Sequence, residues 1–326
     1  MYSRVKSAFF ALCTAILLSH VGLSLPALAQ APDEPTIAFA TSRGGGSLWL
    51  VDPDGDNARA VPNAPGASLG IEWSPDGRKI AYYAEVDGNI DVFVIDADGQ
   101  NLQRMTEHLK ADRWPTWHPN GQRMAFTSKR DGNLEIYVMD ANGEGKQNIT
   151  NHPDADYDPS WSPNGRKIAF YTSRDGNAEI YVMDTDGQNP TNLTNNDAED
   201  IQPDWSPNGN KIVFASDRAG PDNIFVMDAD GGKVDQITDV PTPDNEPAWS
   251  PDGKQIAFTA ARDGTIDVWV MDADGDNAES LEGGGWNRNP SWFDPAFAGE
   301  FAVSPAGKHP SIWGKLKHQE RVTFWR

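Results

Sequence analysis

A closed ring of six four-stranded antiparallel sheets, an all-β six-bladed β-propeller, is the fold this sequence predicts, and three observations predict it. One tryptophan recurs as Trp73, Trp117, Trp161, Trp205, Trp249 and Trp292, at intervals of 44, 44, 44, 44 and 43 residues, a period that marks a repeat architecture. Asp-Gly pairs separate short β-rich runs within each repeat, the strongest short-range signal for hairpins. The middle runs are apolar on both faces, as in Ile168 and Phe170 against Ala169 and Tyr171. A sheet with one wet face would alternate apolar with polar. Both faces are therefore covered, and with no helical pattern in the repeats the cover is the neighbouring repeat.

The repeat reads most clearly from Asp156 to Thr194. Trp161-Ser162-Pro163-Asn164-Gly165 carries type I turn chemistry, so a hairpin follows the tryptophan strand. Lys167 to Ser173, Glu179 to Asp184 and a short run ending at Asn192-Leu193-Thr194 supply the other three strands, separated by Asp175-Gly176 and Asp186-Gly187. Complete blades start near residues 71, 115, 159, 203 and 247.

The first and last repeats are fragments of one blade. Residues 36–62 supply strands two, three and four (Ile37 to Ser42, Leu48 to Asp52, Ala58 to Val61), and residues 289–293, with Asn289-Pro290-Ser291-Trp292, supply strand one. Joining them closes the ring over residues 30–293 and removes the exposed edge of an open array.

Ahead of the ring, Arg4 and Lys6 precede an apolar run from Ala8 to Leu18, and Ala27-Leu28-Ala29 has the small-x-small pattern of a cleavage site. Residues 1–29 therefore read as a secretory signal peptide cleaved near Ala29, with periplasmic or extracellular residence and no membrane span after cleavage. The lone cysteine, Cys13, falls within it. Loss of the signal moves the formal charge from −21 to −23, by removing Arg4 and Lys6. Such a chain lacks the basic stripe of a nucleic-acid binder and favours cations or basic surfaces. Residues 294–326 reverse the sign: Lys308, Lys315, Lys317, Arg321 and Arg326 gather beside Trp313, Phe324 and Trp325. This basic tail is placed to fold back on the acidic ring or to dock on a partner.

The Pro-x-Trp-Ser-Pro-Asp-Gly, Ile-Ala-Phe, Ile-Tyr-Val-Met-Asp-x-Asp-Gly and Leu-Thr elements, repeated from Thr36 to Trp292, resemble the propeller repeat of the TolB family, a periplasmic part of the Tol-Pal envelope complex. The family carries a small α/β domain ahead of its propeller. Only a few residues separate the expected cleavage site from the first strand here, so the sequence reads as a TolB-like propeller without that domain. The resemblance implies a non-catalytic scaffold, monomeric, needing no cofactor, that binds a protein or peptide, such as an envelope lipoprotein, at a channel mouth.

Two positions in each blade bear on that mouth. An entry position, five residues before each tryptophan, holds Ser68, Asp112, Asp156, Asp200, Asp244 and Asn287. A second, three residues before it, holds Gly70, Trp114, Asp158, Gln202, Glu246 and Asn289. Both lead into the innermost strand. The partner-binding set expected from them is Asp112, Trp114, Asp156, Asp158, Asp200, Asp244 and Glu246, with Tyr157 adding aromatic surface. Two carboxylates about 4 Å apart repel by roughly 4 kcal/mol at an effective dielectric near 20. They must spread, take protons or recruit a cation, so Asp112, Asp156, Asp200 and Asp244 are also the candidates for a weakly held Ca²⁺ or Na⁺. An Asp before this strand is equally suited to cap its own turn.

Other motifs carry less. Asp-x-(Asp/Asn)-Gly occurs six times, from Asp52, Asp96, Asp140, Asp184, Asp228 and Asp272, without the further ligands of a calcium loop, and reads as hairpin turns. Gly66-Ala67-Ser68-Leu69-Gly70 matches a serine-hydrolase elbow but lacks the α/β context that motif requires. Gly44-Gly45-Gly46 is a turn without a phosphate-binding Lys. The sequons at Asn148 and Asn192 coincide with the Leu-Thr element, and His118 replaces Ser in a Trp-Ser-Pro turn. The rival class is a propeller lyase or hydrolase acting on an envelope or extracellular polymer, which would need a His/Arg/carboxylate cluster at one channel mouth.

Overall fold

A computed structural model describes residues 29–42, 47–66, 69–262, 264–281 and 286–298. The expected leader with Cys13, the Gly44–Gly46 turn, Ser68 and the basic tail from residue 299 onward lie outside the described residues.

Short β-rich runs joined by tight turns form six separate four-stranded antiparallel sheets. In the blade of Trp161 the strands are Asp156–Trp161, Lys167–Thr172, Glu179–Asp184 and Thr191–Asn192. The second and third pair residue for residue, Ala169 opposite Val182. The fourth is only two residues long because Thr194 leaves the ladder. Its hydroxyl donates to the Glu179 carboxylate and accepts the Ile180 N–H at 3.0 Å.

Closure is as the fragments require. Thr36–Thr41 pairs with Ser47–Val51 on one side and with Asn287–Phe293 on the other, Ile37 opposite Trp292. The N- and C-terminal ends of the ring thus share one sheet, with Arg59–Ala60 as its outer strand.

Both faces of every sheet are covered, as the apolar middle strands demand. Ala169, Ile180 and Val182 of one blade pack on Ile212, Phe214, Phe225 and Met227 of the next. One ring of equivalent positions, Phe39, Tyr82, Phe126, Phe170, Phe214 and Phe258, is fully buried, and each such side chain is worth about 1.5–3 kcal/mol.

The six Asp-x-(Asp/Asn)-Gly turns seal neighbouring blades. Each glycine has positive φ and sits against the preceding blade; a Cβ on Gly187 would lie 1.8 Å from the Ile149 carbonyl oxygen. The carboxylates are occupied locally. Asp184 Oδ2 accepts Asn189 Nδ2 at 2.7 Å, and Asp186 Oδ1 accepts the Gln188 N–H at 3.1 Å. The sequon Asn148 is likewise held, donating from Nδ2 to Asp131 at 2.9 Å. His118 stands in for serine in its turn, accepting the Asn120 N–H at 3.1 Å and packing edge-on to Trp161.

Candidate functional site: the central channel

The innermost strands line the channel, and each carries a bulge. In the Trp161 blade the pairing skips between Tyr157 and Ser160, leaving Asp158 and Pro159 out of the ladder. Proline has no N–H to give to a ladder, and the residue before it turns left-handed: φ is 47° at Trp114, 51° at Asp158, 56° at Gln202, 56° at Glu246 and 53° at Asn289; Gly70, followed by Ile71 in place of proline, has 56° as well. Non-glycine residues adopt this region rarely. The gain is that the N–H reaches a side chain of the preceding blade: Glu246 N–H to Gln202 Oε1 at 2.9 Å, Asn289 N–H to Glu246 Oε2 at 2.8 Å, and Asp158 N–H to Thr127 Oγ1 at 3.1 Å.

The two sequence-predicted positions therefore part company. The bulge residues Trp114, Asp158 and Glu246 line the channel cavity, about 280 Å³, which opens between the Trp-Ser-Pro turns. The entry residues Asp112, Asp156, Asp200 and Asp244 are fully buried inside their own blades. Each meets an arginine eighteen residues later, at the hairpin between strands two and three: Arg130–Asp112 at 2.9 Å, Arg174–Asp156 at 2.9 Å, Arg218–Asp200 at 2.6 Å and Arg262–Asp244 at 2.6 Å. The arginines lie over aromatic rings of the second and third strands, Arg174 over Phe170 and Tyr181 at 5.5 and 4.8 Å. A charge neutralised within the blade no longer confronts its counterparts around the ring. The arginines thus offset the mutual repulsion expected among these four. Among the described residues no group of three or more His, Cys, Asp or Glu is arranged to hold a metal ion.

The channel's acidity comes from Asp158 and Glu246 together with Glu72 and Asp204, which sequence reasoning missed. Glu72 and Asp204 stand one residue before Trp73 and Trp205, two residues on from the bulge position. Alternate residues of a strand share a face, so a count by two along the strand would have found them. Asp204 ties three blades, accepting the Trp249 N–H at 2.9 Å and the Ser160 hydroxyl at 3.2 Å. Enclosure in the channel wall, with repulsion from neighbouring acids, raises two of them well above the usual carboxylate range: Glu72 to about 8, from burial and then Asp204, and Asp158 to about 7, from burial and then Glu246. Burial raises Asp204 to about 6 against its hydrogen bonds from Trp249 and Ser160. Of these, Glu72 and Asp158 are shifted far enough to retain protons near neutrality.

A continuous series of rings borders the same acids. Tyr83 meets Trp114 at 5.8 Å, Trp114 meets Tyr157 at 6.2 Å, and Tyr157 stacks on Tyr171 at 4.8 Å. Trp114 lines the cavity and Tyr157 stands behind it; Tyr83 and Tyr171 come from second strands, opposite Leu69 and Tyr157.

A model described as the TolB beta propeller domain matches residues 25–158 and 145–295. No curated protein matches the chain. Among solved structures, TolB from Acinetobacter baumannii superposes with a TM-score of 0.68 at 22% identity over 79% of this chain and 66% of its own. A putative TolB from Agrobacterium tumefaciens gives 0.63 at 24% identity over 80% and 98%. Hydrazine synthase from Kuenenia stuttgartiensis shares the fold at 15% identity, with a TM-score of 0.68 over 82% of this chain and 48% of its own. The chain spans 66% of the Acinetobacter protein's length. Its repeats, six-sheet closure and matched residues agree, and the chain belongs to the TolB β-propeller domain family.

Proposed function

We propose that this protein is a non-catalytic binding scaffold of the periplasm or extracellular space, and that a segment of a protein partner enters its central channel. One observation carries the reading. The entry-position acids pair with arginines inside the blades, whereas Glu72, Asp158, Asp204 and Glu246 share an open cavity with Trp114, and the donors to Glu72, Asp204 and Glu246 are neutral. A wall of carboxyls without a cationic partner beside half-buried aromatic rings suits a peptide with basic and apolar side chains. In this reading Trp114, Asp158 and Glu246 are the contact residues, and Asp112, Asp156, Asp200 and Asp244 hold the blades that present them.

The test is capture of partners from an envelope extract by the immobilised protein, compared with Trp114→Ala and with Asp158→Asn/Glu246→Gln. A specific partner that both variants lose, at unchanged thermal stability, supports the channel reading. A partner retained by both places the interface elsewhere and overturns it.

The polymer-acting enzyme has one observation in its favour: Arg113 and Arg288 join Asp158 and Glu246 around Tyr83. The described histidines are engaged elsewhere: His108 accepts the Lys110 N–H in its own turn, His118 is held in a turn against Gly165, and the His152 N–H donates to Glu135.

A further inference from the structure

We infer that the strand-entry mouth of the channel is a receptor for a carboxylate, with Arg113 and Arg288 as its donors and Tyr83 between them. The inference rests on the partner-binding reading and adds the chemistry of one contact.

Six arginines stand at the entry ends of the inner strands, and four of them are the blade-internal partners described above. Arg113 and Arg288 differ. Each is half-buried, each Nε is buried without a hydrogen-bond partner, and each only rests beside a ring, Arg113 at 5.8 Å from Trp114 and Arg288 at 5.8 Å from Trp286. They occupy equivalent positions, four residues before Trp117 and Trp292. The other blades place Leu69, Tyr157, Ile201 and Asn245 there, so the two guanidiniums are the only charges of that tier.

The two arginines flank the Trp73 blade, whose Tyr83 hydroxyl feels both positive charges. Arg288 also borders a cavity of about 350 Å³ together with Gln202, Asn245, Glu246 and Thr259. An N–H buried without an acceptor costs about 1–3 kcal/mol, and a carboxylate is the acceptor whose geometry fits a guanidinium fork. The groups facing this space from packed elements are Glu246, Asp158, Tyr83, Tyr157 and Tyr171. Of the two acids, Glu246 already accepts Thr259 Oγ1 at 2.6 Å and the Asn289 N–H, and Asp158 is partly protonated at neutral pH. Neither reaches an arginine. The channel is thus two-signed: a carboxylate is received at the strand-entry mouth, a cationic group deeper in.

The test titrates the protein with three probes: acetyl-Gly-Glu-Gly-amide, acetyl-Gly-Gly-Gly with a free C-terminus, and acetyl-Gly-Gln-Gly-amide as the neutral control. Saturable binding with a Kd on the order of 1 mM is expected for at least one carboxylate peptide, and which one binds tells a side-chain carboxylate from a chain terminus. Affinity should fall at least tenfold in Arg113→Gln/Arg288→Gln, with an intermediate loss in Arg113→Lys/Arg288→Lys and no change in melting temperature. Equal binding of the glutamine peptide, no saturation by either acid, or full affinity in the double Gln variant would overturn the proposal. A partner lost by Trp114→Ala but kept by Arg113→Gln/Arg288→Gln would also sink it while leaving the channel reading intact. Carboxylate binding without any partner lost by Trp114→Ala would do the reverse.

Discussion

Arg174 Nη2 lies 2.9 Å from Asp156 Oδ1, joining the hairpin between the second and third strands to the start of the innermost strand, with the Asp156 side chain fully buried. The pair belongs to one blade and recurs in three others. Removing one member of a buried pair strands the other charge, at about 3–5 kcal/mol. Arg174→Ala should therefore lower Tm by roughly 6–15 °C, whereas Asp156→Leu/Arg174→Met should recover most of the loss. Thermal melts of the three proteins check this; a single variant as stable as the parent would show that the pair holds nothing together.

That relationship also shows where the sequence could be read and where it could not. The tryptophan period, the Asp-Gly turns and the doubly apolar strands specify six closed blades because each is a local signal repeated many times. The arginines escaped notice because their partners are eighteen residues away and meet only through strand register. A trace exists: Asp and Arg occur together in four blades, while the Trp73 blade has Ser68 and Val86 at the two positions. The direction of a side chain was the other gap. Entry and bulge residues look alike in the sequence, but the left-handed turn at Asp158 aims one at the channel, and register buries the other at Asp156.

Gly187 and Gly176 separate two costs of replacing a glycine. Both have positive φ, 83° and 110°, but a Cβ at Gly187 would lie 1.8 Å from the Ile149 carbonyl oxygen, and one at Gly176 meets nothing within 4 Å. Gly176→Ala carries only the backbone strain, about 1–2 kcal/mol. Gly187→Ala adds a clash between blades and should cost at least twice as much in denaturant unfolding. Equal losses would mean that the turn does not seal the blade interface.

Tyr82 occupies a ring of positions otherwise held by phenylalanine, and its hydroxyl is buried with no hydrogen-bond partner. A buried polar group left unsatisfied costs about 1–3 kcal/mol. Tyr82→Phe removes the group and restores the residue used at Phe39, Phe126, Phe170, Phe214 and Phe258, so it should stabilise by about 1 kcal/mol. A drop in Tm would reveal that the hydroxyl is satisfied in solution.

The channel acids set the pH dependence between pH 4 and pH 8. Glu72 is raised to about 8 from 4.5, Asp158 to about 7 and Asp204 to about 6 from 3.8. A raised carboxyl binds its proton more tightly folded than unfolded, so the unfolded chain gains as pH climbs past 4. Stability should fall progressively between pH 4 and pH 8 and level off above Glu72's folded value. Asp131 and Asp175 act oppositely: hydrogen bonds from Tyr137 and Tyr181 lead the lowering of their pKa. Their contribution is present above pH 4 and is lost as pH falls below it. A Tm maximum near pH 4–5 follows. Glu72→Gln removes the largest raised group while keeping a hydrogen-bond acceptor for Ser291, so it should raise Tm at pH 8, leave it unchanged at pH 4 and flatten the curve between. Melts across that range decide it. An unchanged slope would mean that Glu72 titrates as an ordinary, hydrated carboxylate, and the channel wall would then be wetter than its enclosure implies.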